Sequence, residues 1–208
     1  MKKITDVIPQ KNDKKRVNLY IDGQFYSGVE KIALLQENLH IGDFVDDAKL
    51  EKIVQESEYS TAFNKASGYI LKGGHTRKQV YDYLIKKGYS QQIANKVLDK
   101  LKSYGYLDDS QFAKTYVELK SHKYGKHLMS AHLKQKGVKE EDIQSALDTL
   151  ENEDENAYYV GKKYIKNRPF DLELRQKCYR YLLSKGFSYD SVQYAIDKLK
   201  AESDLDEF

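Results

Sequence analysis

The sequence contains few of the residues that cross-link or interrupt a chain. Of its 208 residues one is cysteine, two are proline and none is tryptophan. The single cysteine, Cys178, excludes an intrachain disulfide and a multi-cysteine zinc site, which fits a reducing compartment. With only Pro9 and Pro169, long stretches are free to form helices. No run approaches the roughly 18 apolar residues of a membrane span, and no signal-like segment follows Met1, so we expect a cytoplasmic protein without a membrane segment.

A strong excess of one charge is also missing. The chain has 35 Lys and Arg against 32 Asp and Glu, a net charge of +3, which is milder than in many nucleic-acid-binding proteins. The charges are concentrated at the ends: residues 1–16 carry a balance of +4 and the last eight residues a balance of −4. We interpret both ends as solvated segments, and residues 202–208 as an acidic tail.

The motifs of common active sites are absent from the sequence. There is no phosphate-binding loop, dinucleotide fingerprint or nucleophile elbow. His122, His127 and His132 are spaced by five, which spreads them around a helix instead of gathering them as metal ligands. The acidic pairs at 46–47, 108–109 and 140–141 lie near predicted helix starts, where they are expected to act as caps. We therefore predict a protein that is not an enzyme and that has no cofactor or metal site.

One sequence pattern occurs three times at a constant spacing. Leu84, Leu133 and Leu182 are each 49 residues apart. The same spacing relates the lysines at 87, 136 and 185 and the glycines at 88, 137 and 186. Because no insertion interrupts this register, it predicts three copies of one structural unit.

Each unit is predicted to consist of three helices. Apolar residues recur at steps of three and four, as at Ile93, Val97 and Leu101, which is typical of one helix face. The repeated glycine follows the second helix, where a left-handed residue commonly ends it. Thr76 and Gln79 have the spacing of a capping box. The predicted helices cover 60–71, 76–87 and 90–103; 109–121, 126–136 and 139–150; and 155–167, 172–185 and 188–201.

The first 58 residues differ from the repeats. Residues 17–21 and 24–27 flank Asp22-Gly23, which is typical of a two-residue β-hairpin turn. Two short helices, 30–37 and 46–57, are predicted to follow and to pack on the hairpin. The predicted fold class is therefore mainly α: three tandem three-helix repeats forming an elongated curved array, preceded by a small N-terminal β-hairpin plus helices. The predicted domains are 1–58 (hairpin and short helices), 59–104, 105–152 and 153–201 (repeats one to three) and 202–208 (acidic tail).

Three positions are basic in every repeat. They are Lys65, Lys114 and Lys163; Arg77, Lys126 and Arg175; and Lys87, Lys136 and Lys185. The helix dipole favours a cation just before a helix-ending glycine, so structure alone explains the third set. The second set lies at a helix start, where a cation costs a few tenths of a kcal/mol, which suggests a use. One cation per repeat would form a positively charged stripe suited to a periodic, polyanionic partner.

Further basic and aromatic residues surround these positions. Lys120, Lys123, Lys162, Lys163, Lys166 and Arg168 extend the stripe. Tyr116, Tyr124, Tyr158, Tyr159 and Tyr164 lie among them. These rings have two possible roles, stacking on nucleic-acid bases or packing in and beside the core, of which packing is the commoner.

Three longer motifs occur within residues 60–200. They are Gly105-Tyr-Leu-Asp-Asp109 followed by Phe112-Ala113, the Leu-x-x-Lys-Gly endings at 84–88 and 133–137, and Arg175 followed by Tyr181-Leu-Leu-Ser-Lys-Gly-Phe-Ser-Tyr-Asp190. Together they resemble the bacterial RecX family, regulators of the recombinase RecA. The resemblance implies a modular helical monomer that binds RecA and its filament on single-stranded DNA. It further implies that the protein modulates, and in particular inhibits, the ATPase and strand-exchange activities of RecA in DNA repair and recombination. The contact residues it implies are Arg77, Lys126, Arg175, Lys120, Lys123, Lys163 and Arg168.

Two other interpretations of the residues stay open. Three-helix units can resemble helix-turn-helix modules, which would make the chain a direct DNA-binding protein. The chain could also be a scaffold or antitoxin-like adaptor for an unrelated protein. Binding to naked DNA across a range of salt concentrations distinguishes the first from a RecA regulator, and a pull-down that lacks RecA would favour the second.

Overall fold

The computed structural model describes residues 1–166 and 168–206, which form ten α-helices and four β-strands. The chain divides into two compact units. The first contains Met1–Gly74 and Val80–Leu107, and the second contains His75–Gln79 and the chain from Asp108 onward. The mainly α fold class, with three three-helix repeats after a small N-terminal β-structure, is confirmed.

The N-terminal region is a four-stranded antiparallel sheet in the order β3-β2-β1-β4. Its strands are β1 (Lys2–Pro9), β2 (Arg16–Ile21), β3 (Gln24–Glu30) and β4 (Phe44–Val45). The predicted hairpin joins β2 to β3, and Asp22 and Gly23 both take positive φ angles, 51° and 80°, as a type I′ turn requires. Alternate residues of β2 (Val17, Leu19 and Ile21) are buried against the helices that follow.

Strand β1 is not indicated by the sequence pattern, and the interpretation of the basic N-terminal block as a solvated end is wrong for residues 2–9. Ile4 is the one buried residue of this strand, so its apolar alternation is too short to predict a strand. Lys2 and Lys3 pair with β4 near one edge of the sheet, where charged side chains discourage further strand pairing.

The sheet packs on α1 (Lys31–Gln36) and on a long helix, α2 (Asp47–Ile70). The prediction of separate helices over 46–57 and 60–71 is wrong, because α2 is continuous. No glycine or proline occurs between residues 47 and 67, so nothing interrupts the helix. The hydroxyl of Ser57, which lies in the polar stretch mistaken for a break, is buried and accepts a hydrogen bond from the Glu30 N–H. The predicted domain boundary between residues 58 and 59 therefore falls inside α2.

The three repeats follow the predicted helix order. After α2 come α3 (Arg77–Lys86) and α4 (Gln91–Ser103); α5 (Asp109–Lys120), α6 (Lys126–Gln135) and α7 (Glu140–Asp148); and α8 (Glu153–Ile165), α9 (Leu172–Ser184) and α10 (Tyr189–Asp206). Each repeat has its own hydrophobic core, to which the repeated leucine at 84, 133 or 182 contributes a fully buried side chain. The repeated glycines at 88, 137 and 186 have φ angles of 89°, 80° and 81°, as their predicted position after the second helix requires.

Local capping contacts fix several helix starts. The Thr76 hydroxyl accepts from the Gln79 N–H, and the Gln79 side-chain oxygen accepts from the Thr76 N–H, so the predicted capping box is confirmed. Ser90, Asp108 and Ser188 also accept backbone N–H bonds at the starts of α4, α5 and α10.

The acidic C-terminal segment is helical instead of forming a tail. Helix α10 continues to Asp206, so the interpretation of residues 202–206 as a solvated tail is wrong, and residues 207–208 lie outside the described part. Glu202 anchors this extension, because its carboxylate accepts hydrogen bonds from the Tyr158 hydroxyl and from the Lys162 ammonium group. The hydrogen bond from Tyr158, followed by that from Lys162, lowers the pKa of Glu202 below its ordinary value of 4.5.

Candidate partner-binding surface

The basic set at 77, 126 and 175 lies at the starts of the second helices. Arg77 and Lys126 are the first residues of α3 and α6, and both side chains are half-buried. Arg175 is the fourth residue of α9. In the 49-residue repeat, α9 begins three positions before the point at which α3 and α6 begin. The Asp171 carboxylate caps α9 by accepting the Leu174 N–H at 2.7 Å.

The first turns of α3 and α6 bind carboxylates from the repeat that follows. Asp109, the first residue of α5, accepts the Arg77 N–H at 2.8 Å. Glu153, the first residue of α8, accepts the Lys126 N–H at 2.8 Å. Burial raises the pKa of Asp109, and the bond from Arg77 acts in the opposite direction. Since these carboxylates supply the negative charge that a helix start favours, the recurrent cations at 77 and 126 do not require a partner to explain them.

The same helix starts also receive the glycine turn of the next repeat. The Thr76 hydroxyl donates to the Lys136 carbonyl at 2.6 Å. In the next pair of repeats the Gly125 N–H donates to the Lys185 carbonyl at 2.9 Å. Thr76 and Gly125 are 49 residues apart, and so are Lys136 and Lys185, so the two junctions are built alike.

The lysines that precede the glycine turns lie over aromatic rings. The Nζ atom of Lys87 is 5.7 Å from the centre of the Tyr83 ring, and that of Lys185 is 5.0 Å from the Tyr181 ring. Lys136 instead lies 5.9 Å from the centre of another aromatic ring, that of Phe112. These contacts, together with the helix-end position, give this set a structural explanation.

Of the remaining predicted contact residues, some have exposed side chains without a bonded partner within the described structure and others are bonded to the protein itself. Lys120 and Lys163 are exposed and have no side-chain partner in the described part of the chain. Lys123 is exposed beside the ring of Tyr124. Arg168 is engaged, since its guanidinium donates to the carbonyls of Ile165 and Tyr164 and so closes the end of α8. Lys162, expected to extend the stripe, is bonded to Glu202.

Most of the tyrosines near these cations pack against the protein. Tyr158 is only 4% exposed, and the Tyr164 ring stacks on Tyr181 with 4.2 Å between ring centres. The Tyr116 hydroxyl is 2.7 Å from Nδ1 of His132. Tyr159 differs, because 57% of it is exposed. Packing is thus the main role of this group, and Tyr159 is the member best placed to contact a partner.

Reactive and metal-binding groups do not gather in the described structure. Cys178 is buried in the core of the third repeat, and burial raises the pKa of its thiol to about 11, so it behaves as a small apolar residue. Within residues 1–166 and 168–206, no group of three or more His, Cys, Asp or Glu side chains could hold a metal ion. None of the helices described is both long and apolar enough to cross a membrane.

The structure also shows two features that the sequence interpretation does not contain. Asp109 and Glu153 bind the helix start of the preceding repeat, although the acidic pair at 108–109 was expected only to cap its own helix. An open groove of about 450 Å³ lies between α9 and α10 in the third repeat. Arg175 and Arg180 both line this groove, which connects one predicted contact residue to a neighbour that was not predicted.

The comparisons with known proteins cover most of the chain. Residues 2–46 match the regulatory protein RecX N-terminal domain. Residues 62–101, 108–147 and 151–196 match the first, second and third three-helix domains of RecX. These matches define the class as a regulatory protein with an N-terminal domain followed by three three-helix domains.

Individual relatives agree with this assignment. The regulatory protein RecX of Clostridium tetani is 33% identical over 203 residues, which cover 95% of this chain and 94% of the relative. That of Bacillus subtilis is 30% identical over 209 residues, 98% of this chain and 79% of the relative. A crystal structure of regulatory protein RecX superimposes with a TM-score of 0.69 and 26% identity, covering 95% of this chain and all of that one. The crystal structure of RecX from Lactobacillus salivarius covers 71% of this chain and 97% of its own, with a TM-score of 0.61 and 25% identity. The chain belongs to the RecX family of regulatory proteins.

Proposed function

We propose that this chain regulates RecA by binding the RecA filament on single-stranded DNA, and that it lowers the ATPase and strand-exchange activities of that filament. It does so as a monomer, without catalysis or a cofactor, in the cytoplasm. The observation that carries the proposal is the match of the N-terminal domain and all three three-helix domains to RecX. RecA regulation comes from the resemblance to that family.

The proposed contact surface is the basic stripe, defined as Arg77, Lys126, Arg175, Lys120, Lys123, Lys163 and Arg168. Four of its members, Lys120, Lys123, Lys163 and Arg175, are the best candidates for direct contact, because their charged groups are not bonded to acidic residues within the described residues. Arg175 is half-buried but lines the open groove between α9 and α10. Arg77 and Lys126 are half-buried at junctions with the next repeat, and the Arg168 guanidinium is bonded to backbone carbonyls, so we expect these three to contribute less. Exposed cations attract a nucleoprotein filament at long range and accelerate association at low salt.

The first experiment measures the ATPase rate of RecA on single-stranded DNA as the full-length chain is added. The rate should fall as the chain saturates the filament, and strand exchange should fall with it. A rate that does not change at saturating concentrations would refute the proposed inhibition. Deleting residues 1–58 would not be a clean control, since that cut removes half of the continuous helix α2.

The second experiment tests the stripe by charge reversal. The triple variant Lys120→Glu, Lys123→Glu, Lys163→Glu should bind the filament roughly tenfold or more weakly, because each exposed charge contributes a few tenths to 1 kcal/mol. The matched control reverses three other exposed lysines, Lys14, Lys86 and Lys102. Both variants should keep the helical circular dichroism of the parent. Equal weakening by both triples would mean that net charge, not the stripe, governs binding.

Direct DNA binding is the competing outcome. It predicts that naked single- or double-stranded DNA binds as tightly as the filament, with an affinity that falls steeply with salt. If the chain prefers the filament at every salt concentration, the RecA proposal is supported.

A further inference from the structure

The third repeat differs from the first two at the start of its second helix. In the first two repeats, groups at the start of the second helix form hydrogen bonds to a carboxylate and to a glycine turn of the repeat that follows. The second helix of the third repeat is α9, and its cap comes from the preceding residue Asp171 instead. The open groove between α9 and α10 lies along this helix.

The groove is formed by one face of each helix. Its α9 residues recur at helical spacing, and its α10 residues do the same. They are Leu172, Arg175, Gln176, Tyr179 and Arg180 from α9, and Gln193, Ile196 and Asp197 from α10. Subtracting 49 from Arg175 and Gln176 gives Lys126 and His127, whose N–H groups bind Glu153 and the Gly186 carbonyl of the third repeat. The N–H group of Arg175 instead donates to the Asp171 carbonyl within α9, so the groove shares the position of the earlier junction but not its hydrogen bonds.

The lining of the groove combines apolar and basic side chains. Leu172, Tyr179 and Ile196 provide the apolar part of the lining, and Leu172 is 62% exposed. The guanidinium groups of Arg175 and Arg180 have no ion pair or hydrogen bond among the described residues.

The acidic residue of the groove is already engaged. Both carboxylate oxygens of Asp197 accept hydrogen bonds from the side-chain amide of Gln193, at 2.9 and 3.0 Å. Asp197 keeps its negative charge but forms no ion pair with either arginine among the described residues, so the three charged side chains give the groove a net charge of +1. An incoming carboxylate would balance that excess, as Asp109 and Glu153 provide negative charge at the two internal junctions.

We infer that the groove between α9 and α10 binds an acidic helical segment of a protein partner. The segment would pair a carboxylate with Arg175 and Arg180 and lay an apolar side chain on Leu172 and Tyr179, in the manner of a helix in a groove. This inference deepens the proposed function, since Arg175 belongs to the basic stripe. It goes further by naming the chemistry of the bound partner and by adding Arg180.

A second copy of this chain is a poorer occupant. Its first repeat would have to supply an acidic helix start, as α5 and α8 do. Helix α2 instead begins at Asp47, well before the repeat, and runs without a break to Ile70. Ser60 stands 49 residues before Asp109 and is bonded to the Glu30 carboxylate. The chain therefore lacks a free acidic start of the required kind in its first repeat.

The test titrates the full-length ¹⁵N-labelled chain with a synthetic peptide of residues 151–166, whose acidic start occupies the internal junction. Chemical-shift changes should cluster on α9 and α10, and Arg180→Glu should weaken peptide binding at least fivefold. The matched control is Lys177→Glu on the same helix, which does not line the groove and should stay within about twofold of the parent. A peptide with Glu153, Asp154 and Glu155 replaced by their amides should bind at least fivefold more weakly.

The outcomes separate this inference from the proposed function. Absence of shift changes on α9 and α10, or equal effects of Arg180→Glu and Lys177→Glu, would overturn the groove assignment, whatever the filament does. Failure of the parent chain to bind the RecA filament would instead overturn the proposed function and leave the peptide result intact. If both hold, Arg180→Glu should also weaken filament binding.

Discussion

Replacing Gly125 with alanine should destabilise the chain by crowding the junction between the second and third repeats. Gly125 has φ −79° and ψ 170°, a conformation that alanine adopts without strain, so the effect is purely one of space. A Cβ atom there would lie 2.3 Å from the Gly186 carbonyl oxygen and from backbone atoms of Phe187. Backbone atoms cannot rotate away as a side chain can, so the two segments must separate by more than 1 Å to reach the ordinary contact of about 3.4 Å.

The magnitude follows from that separation. Overpacking a closely fitted site costs about 1–3 kcal/mol. The shift also lengthens two hydrogen bonds, from the Gly125 N–H to the Lys185 carbonyl at 2.9 Å and from the His127 N–H to the Gly186 carbonyl at 3.1 Å. Weakening these two hydrogen bonds adds roughly 1 kcal/mol, for a total of about 2–4 kcal/mol. In a chain of this size that corresponds to a Tm lower by roughly 4–15 °C, measurable by calorimetry or by circular dichroism during heating.

The same substitution at Gly68 is the matched control. Gly68 lies in α2, and a Cβ atom added there would meet nothing within 4 Å. Alanine is favoured over glycine in a helix by about 0.5–1 kcal/mol, so Gly68→Ala should raise the stability. The two variants should therefore move the transition in opposite directions. A Gly125→Ala chain within about 0.5 kcal/mol of the parent would refute the close approach at this junction.

Two further predictions concern contacts made by single side chains. Thr76→Val should lower the free energy of unfolding, measured in urea, by about 1–2 kcal/mol, because it removes the hydroxyl that caps α3 and donates to the Lys136 carbonyl. Thr76→Ser keeps a hydroxyl and should lower that free energy by less. Equal losses in the two variants would contradict the role of the hydroxyl. Glu202→Gln should flatten the dependence of stability on pH below 4.5. The hydrogen bond from Tyr158 and then that from Lys162 lower the native pKa of Glu202, so its contribution is present above pH 4.5 and is lost as the pH falls through the lowered value. Parallel stability curves for parent and variant from pH 6 to pH 3 would contradict this assignment.

The repeated part of the fold could be predicted from sequence because a single physical pattern sets it. Leu84, Leu133 and Leu182 fall in three cores, and each is followed by the glycine whose positive φ ends the helix. The N-terminal strand β1 could not be predicted, since Ile4 alone is buried in it. The extension of α10 could not be predicted either. Glu202 is acidic and near the end of the sequence, and only the packing of α8 beside α10 reveals its partners Tyr158 and Lys162.

The candidate surface was less predictable than the fold, for a reason of register. The buried leucines of the second helices keep the 49-residue spacing, but α5 and α8 begin at Asp109 and Glu153, only 44 residues apart. A fixed 49-residue alignment pairs Asp109 with Tyr158 and hides the equivalence of the two acids. The role of these carboxylates at the helix starts of Arg77 and Lys126 therefore required the three-dimensional structure.

The position of a cation along the repeats decides what it can do. Arg77 and Lys126 occupy helix starts whose backbone N–H groups bind carboxylates of the chain itself, so these positions are part of a junction. Arg175 occupies the same register in the third repeat, where it lines an open groove with Arg180. A periodic row of cations on this chain thus follows from the repetition of one structural unit, without any need for a periodic target. Among the described residues α9 is capped by its own Asp171 and receives no carboxylate from another repeat, so the groove beside it is open to a partner.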